Sequence, residues 1–388
     1  MTPQSELELK KFVVPEFIFG SGSLDLAGRY ARNFGLRKVL LVTDPGVRRA
    51  GWTERVSESL INAGISYEVF DRISPNPRAA EVMAGAEVYR ATECQGIVAV
   101  GGGSPMDCAK GIGIVSSNRR SILSYEGVDQ VLLPGPPLIC IPTTAGSSAD
   151  VSQFAIITDE REKRKIAIIS KTLVPDISLL DPLPLTTMDA ELTVDTGLDA
   201  LCHAIEAYVS NASSPMTDLH ALQAIHLLVS SLPDAVTAPD ALSIRYRTML
   251  GSLHAGLAFS NASLGAVHAM AHSLGGLLDL AHGRCNALLL EHVAAYNYDA
   301  APERYDAIGR SLGAAPCGVG HDERRSHIQN TIASFRRSLG VGVTLSNLGV
   351  TGCDLSDLAL RALNDPCMAT NPRRPTHREV EMIYASAL

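Results

Sequence analysis

No stretch of the 388-residue sequence reaches the ~18 uninterrupted apolar residues of a membrane span, and the N-terminal MTPQSELELKKF has no apolar core of an export signal. An excess of positive charge is missing too. Lysine and arginine number 33 against 41 aspartates and glutamates, and no basic block offsets the formal charge of −8. That balance argues against nucleic acid or an anionic membrane as partner. The eight cysteines form no CxxC pair and are scattered, with Cys108, Cys202 and Cys285 next to candidate site residues. Such spacing suits reduced thiols in the cytoplasm rather than a disulfide framework. The dinucleotide fingerprint GxGxxG is also absent, because GSGSLD at 20–25 lacks the third glycine. What remains is an apolar fraction of 46% and a charged fraction of 19%, ordinary for a soluble globular enzyme.

At this length a single core is strained, and two domains are expected. Up to about residue 185, short apolar runs alternate with amphipathic stretches such as WTERVSESLINAG. KVLLVTD (38–44), SYEVFD (66–71), GIVAVGGGS (96–104) and LICIPTT (138–144) read as buried strands ending in turn or ligand-binding residues. QFAIITD (153–159), KIAIIS (165–170) and ISLLDP (177–182) are further strands. Helical stretches between the early strands imply βαβ units and a largely parallel sheet. DPLPLTTM (181–188) has two prolines and no periodicity, so the junction falls there. Beyond it, ALQAIHLLVSSL, IRYRTMLGSLHAGLAF, AVHAMAHSLGGLL, IQNTIASFRRSLG and REVEMIYASAL are helical in pattern. The expectation is an α/β domain over 1–185 and an all-α domain over 186–388.

Four residues read as one metal site. Asp199 and His203 lie four apart in DTGLDALCHAIEAYVS, hence one turn apart on one face if that stretch is helical. His268 opens HAMAHSLG and His282 opens HGRCN, adding imidazoles from two more segments. A lone histidine on an apolar helix face is more often a paired core residue than a ligand. Clustering shifts the balance: seven of the eleven histidines fall between His203 and His292 even with His226 set aside. One carboxylate with three imidazoles suits a divalent transition metal such as iron, zinc or manganese.

In the first half, Gly101, Gly102, Gly103 and Ser104 follow a strand and precede the helical MDCAKGIGIVSS. Backbone amides freed of side chains, at a helix N-terminus, suit a pyrophosphate, although such turns also serve packing alone. Asp44 closes its strand where an acid can accept from a ribose hydroxyl and repel a 2′-phosphate, favouring NAD. It reads equally as a helix cap. Thr143 and Thr144 offer hydroxyls at another strand end, for phosphate, ribose or a turn.

GGGSPMDCAK, PTTAGSSADVS, DTGLDALCHAIEAY, NASLGAVHAMAHSLGG, AHGRCNA and DPCMATNPRRPTHREVEMIYASAL resemble, in order, the iron-containing (group III) alcohol dehydrogenase family from about Phe12 to the C-terminus. The resemblance implies a dehydroquinate-synthase-like fold, with the metal between a nucleotide-binding and a helical domain. It assigns Asp199, His203, His268 and His282 as metal ligands, Gly101 to Ser104 to the pyrophosphate, and Asp44 to the adenosine ribose. Thr143, Thr144 and Ser147 become nucleotide contacts, and Lys165 reaches the nicotinamide ribose. His268 and His272 form an HxxxH pair that could both ligate; the family makes His272 a nicotinamide neighbour and proton relay instead. Three positions depart from the family pattern: Gly146-Ser147 stands where Gly-Thr is common, Ala281 where proline is common, and Asp195 where a small apolar residue is common.

The implied activity is NAD-linked interconversion of a small alcohol with its aldehyde or ketone. The cofactors are NAD and one divalent ion per subunit, Fe²⁺ first and Zn²⁺ the alternative. Phe154, Phe259 and Leu264 would set pocket size, and a homodimer or larger homo-oligomer is expected. FVVPEFIFGSGSLDLAGRYARNFG and PTTAGSSADVSQFAIITD look closest to the family's regulatory, ErcA-like branch, which raises the alternative of an NAD- and metal-binding sensor. Dehydroquinate-synthase chemistry is disfavoured by the Asp-containing ligand motif.

Overall fold

The computed structural model describes residues 9–314 and 320–388. The strands are β1 (Glu16–Phe19), β2 (Lys38–Val42), β3 (Ser66–Phe70), β4 (Gly96–Gly101), β5 (Gly127–Val128), β6 (Leu138–Pro142), β7 (Phe154–Asp159), β8 (Arg164–Ile169) and β9 (Ile177–Leu180). Among them run α1 (Ala27–Asn33), α2 (Pro45–Arg49), α3 (Trp52–Asn62), α4 (Ala79–Ala91) and α5 (Gly103–Asn118). Six strands form the main sheet in the order β1-β9-β6-β4-β2-β3, every neighbouring pair parallel.

Side chains alternate across a strand. Leu40, Val42, Ile97 and Ala99 therefore face α4 and α5, packing with Val82, Ala86, Met106 and Ile112. Val39, Leu41, Val98 and Val100 face the other way, toward Ala27, Ala31, Val56 and Leu60 of α1 and α3. Both faces are covered, which is why these strands read as unbroken apolar runs.

Two strands escaped the sequence pattern. β1 has only four half-buried or exposed residues, and β5 has two. The β7–β8 pair is antiparallel and lies in a separate three-stranded sheet with β5, outside the main sheet.

After a short 3-10 turn at Leu183–Thr187 the chain is helical: α6 (Ala190–Val209), α7 (Pro215–Thr237), α8 (Leu242–Ala262), α9 (Ala266–Leu278), α10 (His282–Asn297), α11 (Pro302–Ser311), α12 (His321–Ser338), α13 (Leu355–Asn364) and α14 (His377–Ser386). Leu198, Leu201, Ile205, Val267, Met270, Leu274, Leu288 and Leu289 belong to one buried cluster, which packs α6, α9 and α10 together. The strand-bearing and helical parts also interlock. The Asn261 amide exchanges hydrogen bonds with the Val13 backbone at 2.6 and 3.0 Å, and the Ser148 hydroxyl donates to the Ser252 carbonyl at 2.8 Å. No helix is long and apolar enough to cross a membrane among the described residues.

Candidate active site

The strand order reverses beside β2. β3 lies on one side of it, and the chain returns through α4 to put β4 on the other. In an open parallel sheet the crevice at the carboxyl ends of such strands is where ligands sit. Asp44 leaves β2 there, Gly102 to Ser104 leave β4, and Thr143 and Thr144 leave β6. All six line a cleft of about 800 Å³, whose opposite wall carries Asp199, His203, His268, His272 and His282. Ser147 and Lys165 line it as well. Gly101 does not; it ends β4 at φ +154°, where a side chain would be strained and a Cβ would come 2.6 Å from the Pro105 ring. Gly102 is the N-cap of the 16-residue α5, so the helix's first amides, which have no acceptors within it, are available to an anion.

The ligand geometry starts from α6. Asp189 caps that helix by accepting from the Leu192 amide at 2.7 Å. Asp199 and His203 then project one turn apart. Asp199 Oδ1 lies 3.8 Å from His203 Nε2 and 3.7 Å from Nε2 of both His268 and His282. One donor atom from each residue falls within 4.8 Å of all the others. Four ligands at ~2.1 Å around a tetrahedral ion would stand about 3.4 Å apart, and the Asp199 oxygen is within a few tenths of an ångström of that spacing from each imidazole. The four residues fit a metal.

The three imidazoles do not share one protonation state. Burial pushes His203 down to about 3 and His282 well below the ordinary imidazole value, which keeps both neutral, as ligation needs. Burial alone would raise the Asp199 carboxyl, but the surrounding imidazoles outweigh it and hold it well below the usual carboxylate range. For His268 burial opposes protonation, yet Asp199 and Glu206 together lift it to about 9.

Each position has a mechanical cause. Glu206, three residues after His203, accepts from His268 Nδ1 at 2.6 Å and from the Val267 amide at 2.6 Å, so one buried carboxylate caps α9 and turns the His268 Nε2 toward Asp199. The His203 ring stacks between Phe259 and His268, at centroid distances of 4.2 and 4.5 Å. His272 Nδ1 meets Asp365 Oδ2 at 2.8 Å. Lys165 Nζ donates to Asn76 Oδ1 at 2.7 Å, and burial pushes its ammonium below the ordinary value.

Residues 15–182 match the family model for iron-containing alcohol dehydrogenase, and residues 193–388 match the C-terminal model of the Fe-containing alcohol dehydrogenase family. The chain belongs to the iron-containing alcohol dehydrogenase family. Its α/β sheet followed by a helical part is the fold of that family, and it is an oxidoreductase acting on CH–OH groups. This alcohol dehydrogenase is 40% identical to 1,3-propanediol dehydrogenase of Citrobacter freundii, over 97% of this chain and 98% of that protein. It is 34% identical to the NAD-dependent methanol dehydrogenase of Bacillus methanolicus, over 97% and 99% respectively. The crystal structure of a 1,3-propanediol oxidoreductase superposes with a TM-score of 0.94 at 38% identity, covering 98% of this chain and 100% of that one. All three are named as enzymes, and they lend no support to the regulatory, ErcA-like alternative.

In this alcohol dehydrogenase the structure brings every sequence-predicted site residue except Gly101 to the cleft wall. Asp44 also caps α2: its Oδ1 accepts from the Gly46 and Val47 amides at 2.7 and 3.0 Å, leaving Oδ2 for another donor. Asn76, Glu206, Asn286 and Asp365 were missed. Glu206 and Asn286 sit inside the recognised motifs, three and four residues after a ligand histidine, so spacing could have flagged them. GSGSLD is no phosphate loop: Gly22 donates to Asp181 Oδ2 at 2.7 Å, and the segment stands outside the cleft lining.

Proposed function

We propose that this alcohol dehydrogenase interconverts a small alcohol and its aldehyde or ketone, using NAD and one divalent ion, Fe²⁺ first and Zn²⁺ the alternative, held by Asp199, His203, His268 and His282. The observation that carries the reading is the convergence of those donors, the Gly102–Ser104 turn and His272 on one cleft. When bound, the ion supplies Lewis acidity toward the substrate oxygen and the nicotinamide supplies the hydride chemistry. The chain's own residues do the rest. Gly102 to Ser104 and the α5 N-terminus hold the pyrophosphate, Asp44 the adenosine ribose, and Lys165 the nicotinamide ribose. Thr143, Thr144 and Ser147 add hydroxyl contacts. Phe154, Phe259 and Leu264 make the reacting end apolar and exclude water. His272, with Nδ1 committed to Asp365, has Nε2 left to carry the substrate proton toward solvent.

The test is an NAD⁺-reduction screen across small alcohols, with iron- or zinc-loaded and chelator-treated protein. Metal-dependent turnover of at least one alcohol is expected; silence across the panel, with NAD bound, would instead favour a sensor. We further propose that 1–185 and 186–388 act as the nucleotide and metal domains of a cytoplasmic protein. The free cysteines of the described residues are consistent with a reducing setting. A homodimer or larger homo-oligomer completes the reading, because β1 is an edge strand with Phe17 exposed on it and Val14 exposed just before it. Sedimentation should then give a mass above the 41.2 kDa of one chain.

Cofactor choice gives a sharper expectation. NAD should be preferred over NADP, and Asp44→Gly should narrow the gap by removing repulsion of the 2′-phosphate. Glycine at an N-cap costs only a few tenths of a kcal/mol, so stability should scarcely change. Comparing kcat/KM for the two cofactors in wild type and variant checks this; a wild type that already prefers NADP would show Asp44 misassigned.

A further inference from the structure

Three of the four donors are enclosed as well as held through their side chains. Asn286 donates to Asp199 at 2.7 Å, Glu206 fixes His268, and aromatic stacking fixes His203. His282 differs. Its ring stacks on His272 at 5.1 Å, yet its side chain is 26% exposed against 1–6% for the other three. It is also the first residue of α10, reached through a turn in which Asp279 sits at φ +50°. Helix ends fray unless something fastens them, so the position of this donor depends on what anchors the first turn of α10.

Asn286, one turn further along, ties α10 to Asp199 on α6, and ahead of it two contacts go to Asp195, one turn before Asp199. A Cβ on Gly283 would meet the Asp195 carbonyl oxygen at 2.1 Å, so the two backbones touch there. Next along α10, Arg284 Nε donates to Asp195 Oδ1 at 2.7 Å and Nη2 to Glu191 Oε1 at 3.0 Å. Glu191 is 78% exposed and holds little. Asp195 and Arg284 are 10% and 21% exposed, so their pairing is only partly screened. The helix that carries Asp199 and His203 is thereby tied to the turn that carries His282.

We propose that the Asp195–Arg284 ion pair is a positioning device that seats His282 in the metal site, an inference that rests on the metal reading above. Partners that orient a ligand from outside the coordination sphere typically change metal affinity by ~10–100-fold. The same pairing offsets the Asp195 charge, so the acid one turn from Asp199 adds no net charge beside the ion.

The experiment loads wild type, Asp195→Ala, Arg284→Ala, the double variant and His282→Ala with Zn²⁺, then follows loss of the ion to excess chelator. The single variants should lose Zn²⁺ roughly 10–100-fold faster than wild type, and the double variant should be no worse than the worse single, because either change already breaks the pair. NAD⁺ affinity, read by fluorescence, and the unfolding temperature of the chelator-treated proteins should stay near wild type. Charge reversal, Asp195→Arg with Arg284→Asp, should recover part of the retention. Wild-type retention in both single variants, additive losses in the double, or early unfolding of the metal-free variants would each overturn the proposal. If His282→Ala itself holds Zn²⁺ like wild type, the metal reading has failed and takes this inference with it.

Discussion

His268→Ala is expected to abolish metal retention and turnover together. His268 is the most enclosed of the four donors, its side chain 1% exposed, and the only one whose second ring nitrogen is pinned by a carboxylate. Removing the imidazole leaves three donors and a hole in the site, while Glu206 keeps its bond to the Val267 amide, so α9 retains its cap and the fold should survive. The loss should be large, because Lewis acidity contributes several kcal/mol and each ~1.4 kcal/mol is tenfold in rate; roughly three orders of magnitude or more is anticipated. Metal analysis after gel filtration and kcat on the best alcohol of the screen check both halves. A variant that keeps stoichiometric metal would remove His268 from the ligand set. Acidity should act in the same direction in the wild type. With Asp199 and Glu206 lifting His268 to about 9 against the pull of burial, an ion must displace a proton at neutral pH, so metal uptake should release protons and weaken as pH falls.

The donors were legible in the sequence because ligation imposes a residue type and, within a helix, a spacing. Asp199 and His203 show that spacing directly, and the parallel strands were legible because burial on both faces leaves an unbroken apolar run. Hydrogen-bond partners on elements other than the ligand helices obey no such spacing. Asp365 lies 93 positions from His272, and Asn76 lies 89 from Lys165, so only the packing of distant elements joins them. β1 was illegible for the opposite reason to β2: as a short, half-exposed edge strand it needs no apolar run and takes its place from pairing with β9. Asp44 shows that two readings need not compete, since one oxygen caps α2 and the other is left for the cleft. Asp195 stood out as a departure from the family, but its meaning came only from Arg284, 89 residues away on another helix.

His272→Ala separates the roles of the paired histidines. His268 and His272 lie one turn apart on α9 and both line the cleft, yet only His268 has an Nε2 within 3.7 Å of Asp199. His272 instead gives Nδ1 to Asp365, and its ring stacks on His282 at 5.1 Å. A residue so placed can pass a proton between the substrate end of the cleft and solvent without holding the ion. The variant should therefore keep its metal and its NAD⁺ affinity while kcat falls. General acid–base groups contribute ~10²–10⁴-fold, and relay through ribose hydroxyls or water would draw the effect toward the lower end of that range. The fall should be steepest where proton release limits turnover, and small added bases such as imidazole should restore part of it. A His272→Ala protein that loses its metal would make His272 a ligand. One that keeps both metal and full kcat would show that the substrate proton leaves by another route.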